Sequence, residues 1–411
     1  MALFLISLAF IIPQPQALAD ENYTAEFRTQ KERYRLGEPV FCAFVFHNTG
    51  DRTLMFSYRF PTRAINPNLP GEPQFVIKDS AGGRLPDPAP HPCGGAKGSV
   101  VYGTVTLPPG RTHTELWLLD QWARFTRPGK YTLAARRRIA LKSVDPATNR
   151  VSDKPVAYAV ARDNLTLEIL PSTPAERAAE CERDGKLLTD PGAEGFAEAY
   201  LVATALPQPE FLDPLKTLAR APAKEHRWDP QQALEGLARL GTRTAWDAIL
   251  DVARDSNAQD AVRAYAILLL GEKADRAYVP ALVQLLPAAP ESLRDDILRA
   301  LGLFHSPRAN QVLFDQLHSP RASDRVNAIL GLRNLESKDV VPALLAMLDD
   351  PDDQVRQVAN FALESLTGQK MKLAAGGAGQ KSTQLAKSWH DWWLKHEGNF
   401  EPVRAPACHD W

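Results

Sequence analysis

The residues best suited to hold a metal or to attack a substrate are nine histidines and four cysteines. Their only close neighbours are His91 with Cys93, in "APHPCGG", and Cys408-His409 near the end of the sequence. A zinc knuckle takes paired ligands a few residues apart, and Cys42, Cys93, Cys181 and Cys408 are spaced too widely to make one. No His-Glu-x-x-His is present, and His396-Glu397 stands alone. No Gly-x-Ser-x-Gly sets a serine on a nucleophile elbow. "GGAGQKST" lacks the two glycines that bound the core of a phosphate-cradling loop, since Ala375 and Gln380 occupy those positions. The pattern predicts no catalytic residue, no cofactor and no metal site, and a chain that is not an enzyme.

Other sets point to binding or packing. Arg263, Arg294, Arg325 and Arg356 recur every 31 residues. Acids lie near them (Asp260, Glu291, Asp324 and Asp353), so two readings stand. Each guanidinium bonds a carboxylate or carbonyl and fixes the stacking of repeats, or the column is a ladder for an anionic ligand. In "LAKSWHDWWLKHEGNF", Leu385, Trp389, Trp392 and His396 share one helical stripe, with Trp393 beside it. Such a stripe caps the end of a helical array, or offers rings on which sugars stack. Arg136-Arg137-Arg138 lies on an expected strand and reads as a solvated face, with a basic binding patch as the alternative.

The elements that carry these residues differ between the two halves of the chain. "VPALVQLL" (279–286) and "VPALLAML" (341–348) are near copies 62 positions apart, and "ANQVLFDQL" lies halfway between them. Apolar residues recur at i, i+3, i+4 and i+7, the face of a helix. Ala266, Ile297, Ala328 and Ala359 keep the 31-residue spacing, as do Leu270, Leu301, Leu332 and Leu363. These columns predict helical hairpins stacked into an α-solenoid, each burying its apolar face against its neighbours. "QQALEGLARLGTRTAWDAILDVA" fits as a unit displaced by one residue, and 195–219 as a degenerate first one.

From Tyr23 to about Leu170 the pattern is of strands. Segments such as "PVFCAFVFHN" and "KYTLAARRRIAL" are rich in β-branched and aromatic residues, and turn-forming stretches such as "NTGD" and "LPPGR" separate them. Seven or more strands with no helix between them predict a two-sheet antiparallel sandwich. Val40, Cys42, Phe44 and Phe46 form its expected core face, which leaves Cys42 either a buried thiol or bonded to Cys93.

Net charge is −1, so no overall field calls for nucleic acid or an anionic membrane. Ala2 to Ile12 is apolar but too short to span a bilayer; Pro13 and Pro15 end it, and Ala17-Leu18-Ala19 offers a small-x-small cleavage site. The expectation is a signal peptide over 1–19, cleaved before Asp20, and an exported (periplasmic or extracellular) protein without a membrane span. No Lys or Arg precedes the apolar run, and a buried N-terminal strand is the alternative.

Val262-Arg263 and Val355-Arg356, each with Ala three residues beyond the Arg, and Leu270-Gly271 resemble the HEAT family in its short bacterial, phycobilisome-lyase-like form. "YRLGEPVFCAFVFHNTG" and "RPGKYTL" resemble bacterial immunoglobulin-like modules, in which a Tyr at the place of Tyr131 ties a corner; Leu133 stands where antibody domains have cysteine. The Trp-rich run resembles the segment closing many exported bacterial HEAT proteins. The fold expected is multidomain, all-β plus all-α: an immunoglobulin-like sandwich over 20–171, a HEAT solenoid over 172–366, a Gly-rich linker over 367–384 and a Trp-rich capping helix and tail over 385–411. The resemblance implies a non-enzymatic scaffold whose groove takes a protein or peptide partner, with Arg276, Gln284, Gln311, Asp315 and Lys338 as groove candidates. Two alternatives stand: a carbohydrate or cell-wall binder acting through the sandwich and Trp389, Trp392 and Trp393, and a lyase-like or redox enzyme. The repeated His-Glu pairs of iron-binding HEAT hydroxylases are absent.

Overall fold

The computed structural model describes residues 22–59, 71–86, 88, 102–145, 147–221, 228–371 and 378–403. The expected signal segment, His91, Cys93 and Cys408 lie outside them. The chain forms two compact units, one up to Glu210 and one from Phe211.

Among its described residues the first unit holds nine strands: β1 (Tyr23–Thr29), β2 (Arg33–Arg35), β3 (Phe41–Asn48), β4 (Thr53–Arg59), β5 (Gln74–Asp79), β6 (Tyr102–Leu107), β7 (Thr112–Leu118), β8 (Gly129–Val144) and β9 (Ala157–Leu170). They make two sheets. One has the order β1-β3-β7; the other runs β2-β9-β8-β4-β6, with β5 also paired to β8. The second sheet is mixed, not purely antiparallel as the sequence predicts, because β2 runs parallel to β9. Gln30-Lys31-Glu32 carries no Gly, Pro or Asn to reverse the chain after β1. The chain therefore leaves the first sheet and joins the edge of the second, where the Glu168 amide donates to the Glu32 carbonyl at 2.8 Å.

One hydrophobic core lies between the two sheets. Phe27 meets Phe75 and Phe46 meets Phe56, at ring centroid distances of 5.6 and 5.3 Å. Val40, Cys42, Phe44 and Phe46 all belong to this core. Strand β8 alternates strictly, with Tyr131, Leu133, Ala135, Arg137, Ile139 and Leu141 turned inward. The reading of Arg136–Arg138 as one solvated face is therefore corrected: period two buries the middle arginine. Arg137 is 2% exposed. Its Nη1 donates to Glu115 Oε2 at 2.7 Å, its Nε to the Gly71 carbonyl at 2.8 Å, and its guanidinium lies 4.5 Å from the Phe44 ring centre. Burial opposes charge on Glu115, but Arg137 and His113 outweigh it and hold the carboxyl below its ordinary value. At the start of β8 the Tyr131 hydroxyl donates to the Arg127 carbonyl at 2.7 Å. Two helices complete the unit, α1 (Pro174–Leu187) and α2 (Phe196–Ala205). Thr173 and Glu176 form a capping box that starts α1.

The second unit is helical: α3 (Leu212–Arg220), α4 (Pro230–Leu240), α5 (Arg243–Arg254), α6 (Asp260–Lys273), α7 (Val279–Leu285), α8 (Glu291–Leu301), α9 (Pro307–Gln316), α10 (Ala322–Arg333), α11 (Val341–Ala346), α12 (Asp353–Thr367) and α13 (Ala378–His396). Helices α6, α8, α10 and α12 start 31 residues apart and stack one on the next. The column Leu270, Leu301, Leu332 and Leu363 is fully buried at their centre. Approach is closest at Gly302, where a Cβ would stand 2.4 Å from Gly331 Cα. Helix α6 ends in a left-handed residue that is not glycine, Ala274 (φ 54°), and His305 and Glu336 (φ 46° each) take the same conformation in the turns that follow α8 and α10. No helix among the described residues is long and apolar enough to cross a membrane.

Candidate functional site

The arginine column lies in the joints between repeats. Each guanidinium donates to a carbonyl that closes the helix before it: Arg263 to Ala253 (3.3 Å), Arg294 to Leu286 (2.8 Å), Arg325 to Ser319 (2.9 Å), and Arg356 to Asp350. Arg294 also grips Asp324 with two nitrogens, at 3.2 and 2.6 Å, and Arg325 grips Asp350 at 2.8 and 2.7 Å. Both are forks: that of Arg294 reaches α10 in the following repeat, and that of Arg325 closes on the turn leading into α12. Arg263 and Arg356 pair with acids of their own helices, Asp260 and Asp353. Asp324 is fully buried and also accepts from the Ser319 hydroxyl at 2.8 Å, and these donors hold its carboxyl below the usual value against the effect of burial. All four guanidinia are bonded to the protein itself, the arrangement of the stacking reading.

The Trp segment is α13. Trp389 is fully buried, and its indole N–H donates to Asn360 Oδ1 on α12 at 2.7 Å. Trp392 is half-buried; it stacks on His396 at 4.5 Å and meets Trp389 and Phe400 edge-on. Trp393 packs against Phe400 at 5.4 Å. Trp389 therefore has no ring face open to a sugar.

The groove candidates are exposed on and beside the second helices α7, α9 and α11. Arg276 donates to the His305 carbonyl at 2.8 Å, and Gln311 to Asp315 at 2.9 Å. Lys338 lies in the turn before α11. Gln284, on α7, has no hydrogen bond to the other four among the described residues. None of the five lines the nearby cleft of about 240 Å³, which is formed by His305, Asn310, Phe314, Leu335, Ser337, Asp339 and Val340; Gln311, Asp315 and Lys338 are sequence neighbours of its lining. The sequence reading missed these residues. Ser306 caps α9, accepting from the Ala309 amide at 3.2 Å, and Pro307 opens its first turn. Ser337 braces the facing turn by accepting from the Asp339 amide at 3.2 Å.

One residue in this cleft breaks the repeat. Asn310 occupies the place that Val279 and Val341 hold in the flanking repeats, and both valines are buried in the core. Its side-chain Oδ1 is buried with no hydrogen-bond partner. The register that aligns Leu282 with Leu313 and Leu344 predicts an apolar residue here, and that mismatch was the signal in the sequence. A larger depression of about 720 Å³ opens beside the β8–β9 connection, lined by Asp51, Arg52, Asp145 and Arg150 among others. Backbone amides of its own turn already occupy Asp145 Oδ1. Among the described residues, no cluster of His, Cys, Asp or Glu could hold a metal ion. Cys42 is buried as a free thiol, and burial pushes its pKa up, away from reactivity.

Residues 279–364 match the family model for HEAT repeats. No curated protein matches the chain. Among solved structures, the chain is similar to the complex of CpcE and CpcF of phycocyanin lyase from Nostoc sp. PCC7120, at 19% identity over 38% of this chain and 65% of that one, with a TM-score of 0.29. It is similar to a designed armadillo repeat protein in complex with the peptide (KR)4, at 17% identity over 47% and 95% of the two chains and a TM-score of 0.27. It is also similar to human deoxyhypusine hydroxylase in complex with glycerol, at 16% identity over 53% and 97% of the two chains and a TM-score of 0.25.

Proposed function

We propose that this protein is a non-enzymatic scaffold whose HEAT-repeat unit binds an extended segment of a protein or peptide partner in the α9 cleft. The observation that carries this reading is Asn310, a buried acceptor without a donor in a column that is otherwise valine. Leaving such a group unpaired costs about 1–3 kcal/mol, so a position that keeps it is one where a ligand N–H completes the bond. Phe314 and Leu335 supply apolar floor, and Asp339 and Lys338 supply charge at the rim. In this reading the strand-rich unit is an immunoglobulin-like module, supported by the two facing sheets and the Tyr131 tie, and serves as a spacer or dock. The protein acts after export, with cleavage before Asp20.

The test is selection from a random peptide display library on the full-length protein, followed by titration of the selected peptides against wild type and Asn310→Val. Peptides selected by the wild type should lose about tenfold or more in affinity for the variant, the worth of one hydrogen bond to a buried acceptor. Equal affinity for both proteins overturns the assignment of the cleft.

A further inference from the structure

Strands β8, β9 and β5 turn their second face to solvent, and that face carries cations without counter-charges. Lys130, Arg136, Arg138 and Lys142 come from β8, Arg162 from β9 and Lys78 from β5. All are exposed except Lys142, which is half-buried. Arg136 stands directly across from Arg162 in the antiparallel register. Like charges in that position repel and destabilise a sheet. The only carboxylate among the described outward residues of this sheet is Glu168, at the far end of β9, and Arg33 already pairs with it at 3.1 Å. None of the six cations has an ion-pair partner among the described residues. Arg137, between Arg136 and Arg138 in sequence, is inside the core and bonded to Glu115.

Spacing narrows the kind of partner. Alternate residues on a strand stand about 6.8 Å apart, so the cations from Lys130 to Lys142 form a line about 40 Å long. A line of that length fits a linear polyanion and not a single anionic group. Between Lys130 and Arg136 the outward residues are small or polar: Thr132 lies across from Thr166, and Ala134 across from Asn164. Hydroxyls and an amide at that level suit a ligand rich in hydroxyl groups. A peptide would need free strand edges for main-chain bonding, and this is a sheet face. Single-stranded nucleic acid would need a series of stacking rings. Among its described residues the face offers one exposed ring, Tyr158, and the Arg138 guanidinium lies 4.1 Å from its centre.

We infer that the solvent face of the β8–β9 hairpin binds a linear acidic polysaccharide, its carboxylate or sulfate groups held by Arg136, Arg162, Arg138 and Lys142. This site is independent of the α9 cleft.

The experiment measures binding of the full chain to immobilised alginate and heparin, with poly-dT and phosphatidylserine vesicles as parallel probes, from 25 to 300 mM salt. The expected result is binding to at least one of the two polysaccharides, tighter than to poly-dT or vesicles and weakening steeply with salt. Arg136→Ala/Arg162→Ala should bind at least tenfold more weakly, with its melting temperature unchanged or raised because the cross-strand repulsion is gone. Lys273→Ala, which removes a cation from the other unit, should bind as wild type does. Failure to bind either polysaccharide at 25 mM salt overturns the inference. So does tighter binding to poly-dT or vesicles, or full retention of binding by the double variant.

Discussion

Replacing Asn310 by valine sets the stability of the repeat array against the proposed binding role of the α9 cleft. The equivalent valines, Val279 and Val341, are 2% and 1% exposed, so a valine at 310 enters a site whose shape the flanking repeats already tolerate. The substitution removes a buried acceptor that has no donor, a defect that costs about 1–3 kcal/mol. Asparagine and valine are close in volume, which keeps the repacking term below about 1.5 kcal/mol. The net expectation is a gain of about 1–2 kcal/mol, or roughly 3–6 °C in melting temperature for a unit of this size. Urea titration followed by far-ultraviolet circular dichroism should show a higher midpoint with an unchanged slope. Affinity for selected peptides should fall in the same variant. A variant less stable by about 1 kcal/mol or more refutes the reasoning, because it would show that the amide is bonded in the folded protein and serves packing.

Three other substitutions test separate parts of the structure. Gly302→Ala should cost about 1–3 kcal/mol in urea titration, because the new Cβ would meet Gly331 Cα at 2.4 Å and force two backbones apart; a more stable variant would mean that the helices do not approach this closely. Ala274→Gly should stabilise by about 0.5–1 kcal/mol, since φ of 54° strains any residue with a Cβ by more than glycine adds in unfolded-chain entropy; a loss of stability counts against that backbone geometry. Asp120 is buried, and burial raises its carboxyl from 3.8 to about 6, although the Val40 amide at 3.0 Å and Arg124 act the other way. A raised acid binds protons more readily in the folded state, so its contribution to stability is lost as pH rises from about 4 to 6. Asp120→Asn keeps an acceptor for Val40 without the charge, and should be more stable than wild type by about 2 kcal/mol at pH 7 and equal to it near pH 4; a variant weaker at pH 7 would contradict this.

The helical half was legible in the sequence because a solenoid repeats one local problem. The columns headed by Arg263, Ala266 and Leu270 recur every 31 residues since each repeat meets the same neighbour in the same way. The strand-rich half was legible as strands in two sheets and as the core face of β3, but not in its connections. Its connections depend on pairings between distant segments, and nothing in Arg33–Arg35 announces that it lies beside β9 and parallel to it. Arg137 was misread for a related reason. Three arginines in a row look like solvent-facing sequence, and only the strict alternation of β8, set by its neighbours Tyr131, Leu133, Ile139 and Leu141, shows that the middle one points inward. Its partner Glu115 lies on a strand of the other sheet, a relation no local pattern encodes. Likewise, a Trp stripe could be read from Leu385 to His396, but the bond from Trp389 to Asn360 required knowing which face of α12 lay opposite.

The conspicuous residues of this molecule are not the ones proposed to bind. The arginine column has the strongest periodic signal, yet every guanidinium in it is bonded to the protein, two of them through forks to Asp324 and Asp350. Periodicity in a solenoid reports the contact each repeat makes with the next, so a residue present in every repeat is first of all a packing residue. Binding to one partner needs the reverse, a position where one repeat differs from its neighbours and local stability is worse for it. Asn310, between Val279 and Val341, meets that description. The pair Arg136 and Arg162 meets it in the other unit, where the sheet carries a repulsion that packing alone would have removed. Both are places where the fold carries a local cost with no internal return among the described residues, and under the two proposals the return comes from a partner: a donor for Asn310 and an anion for the arginines.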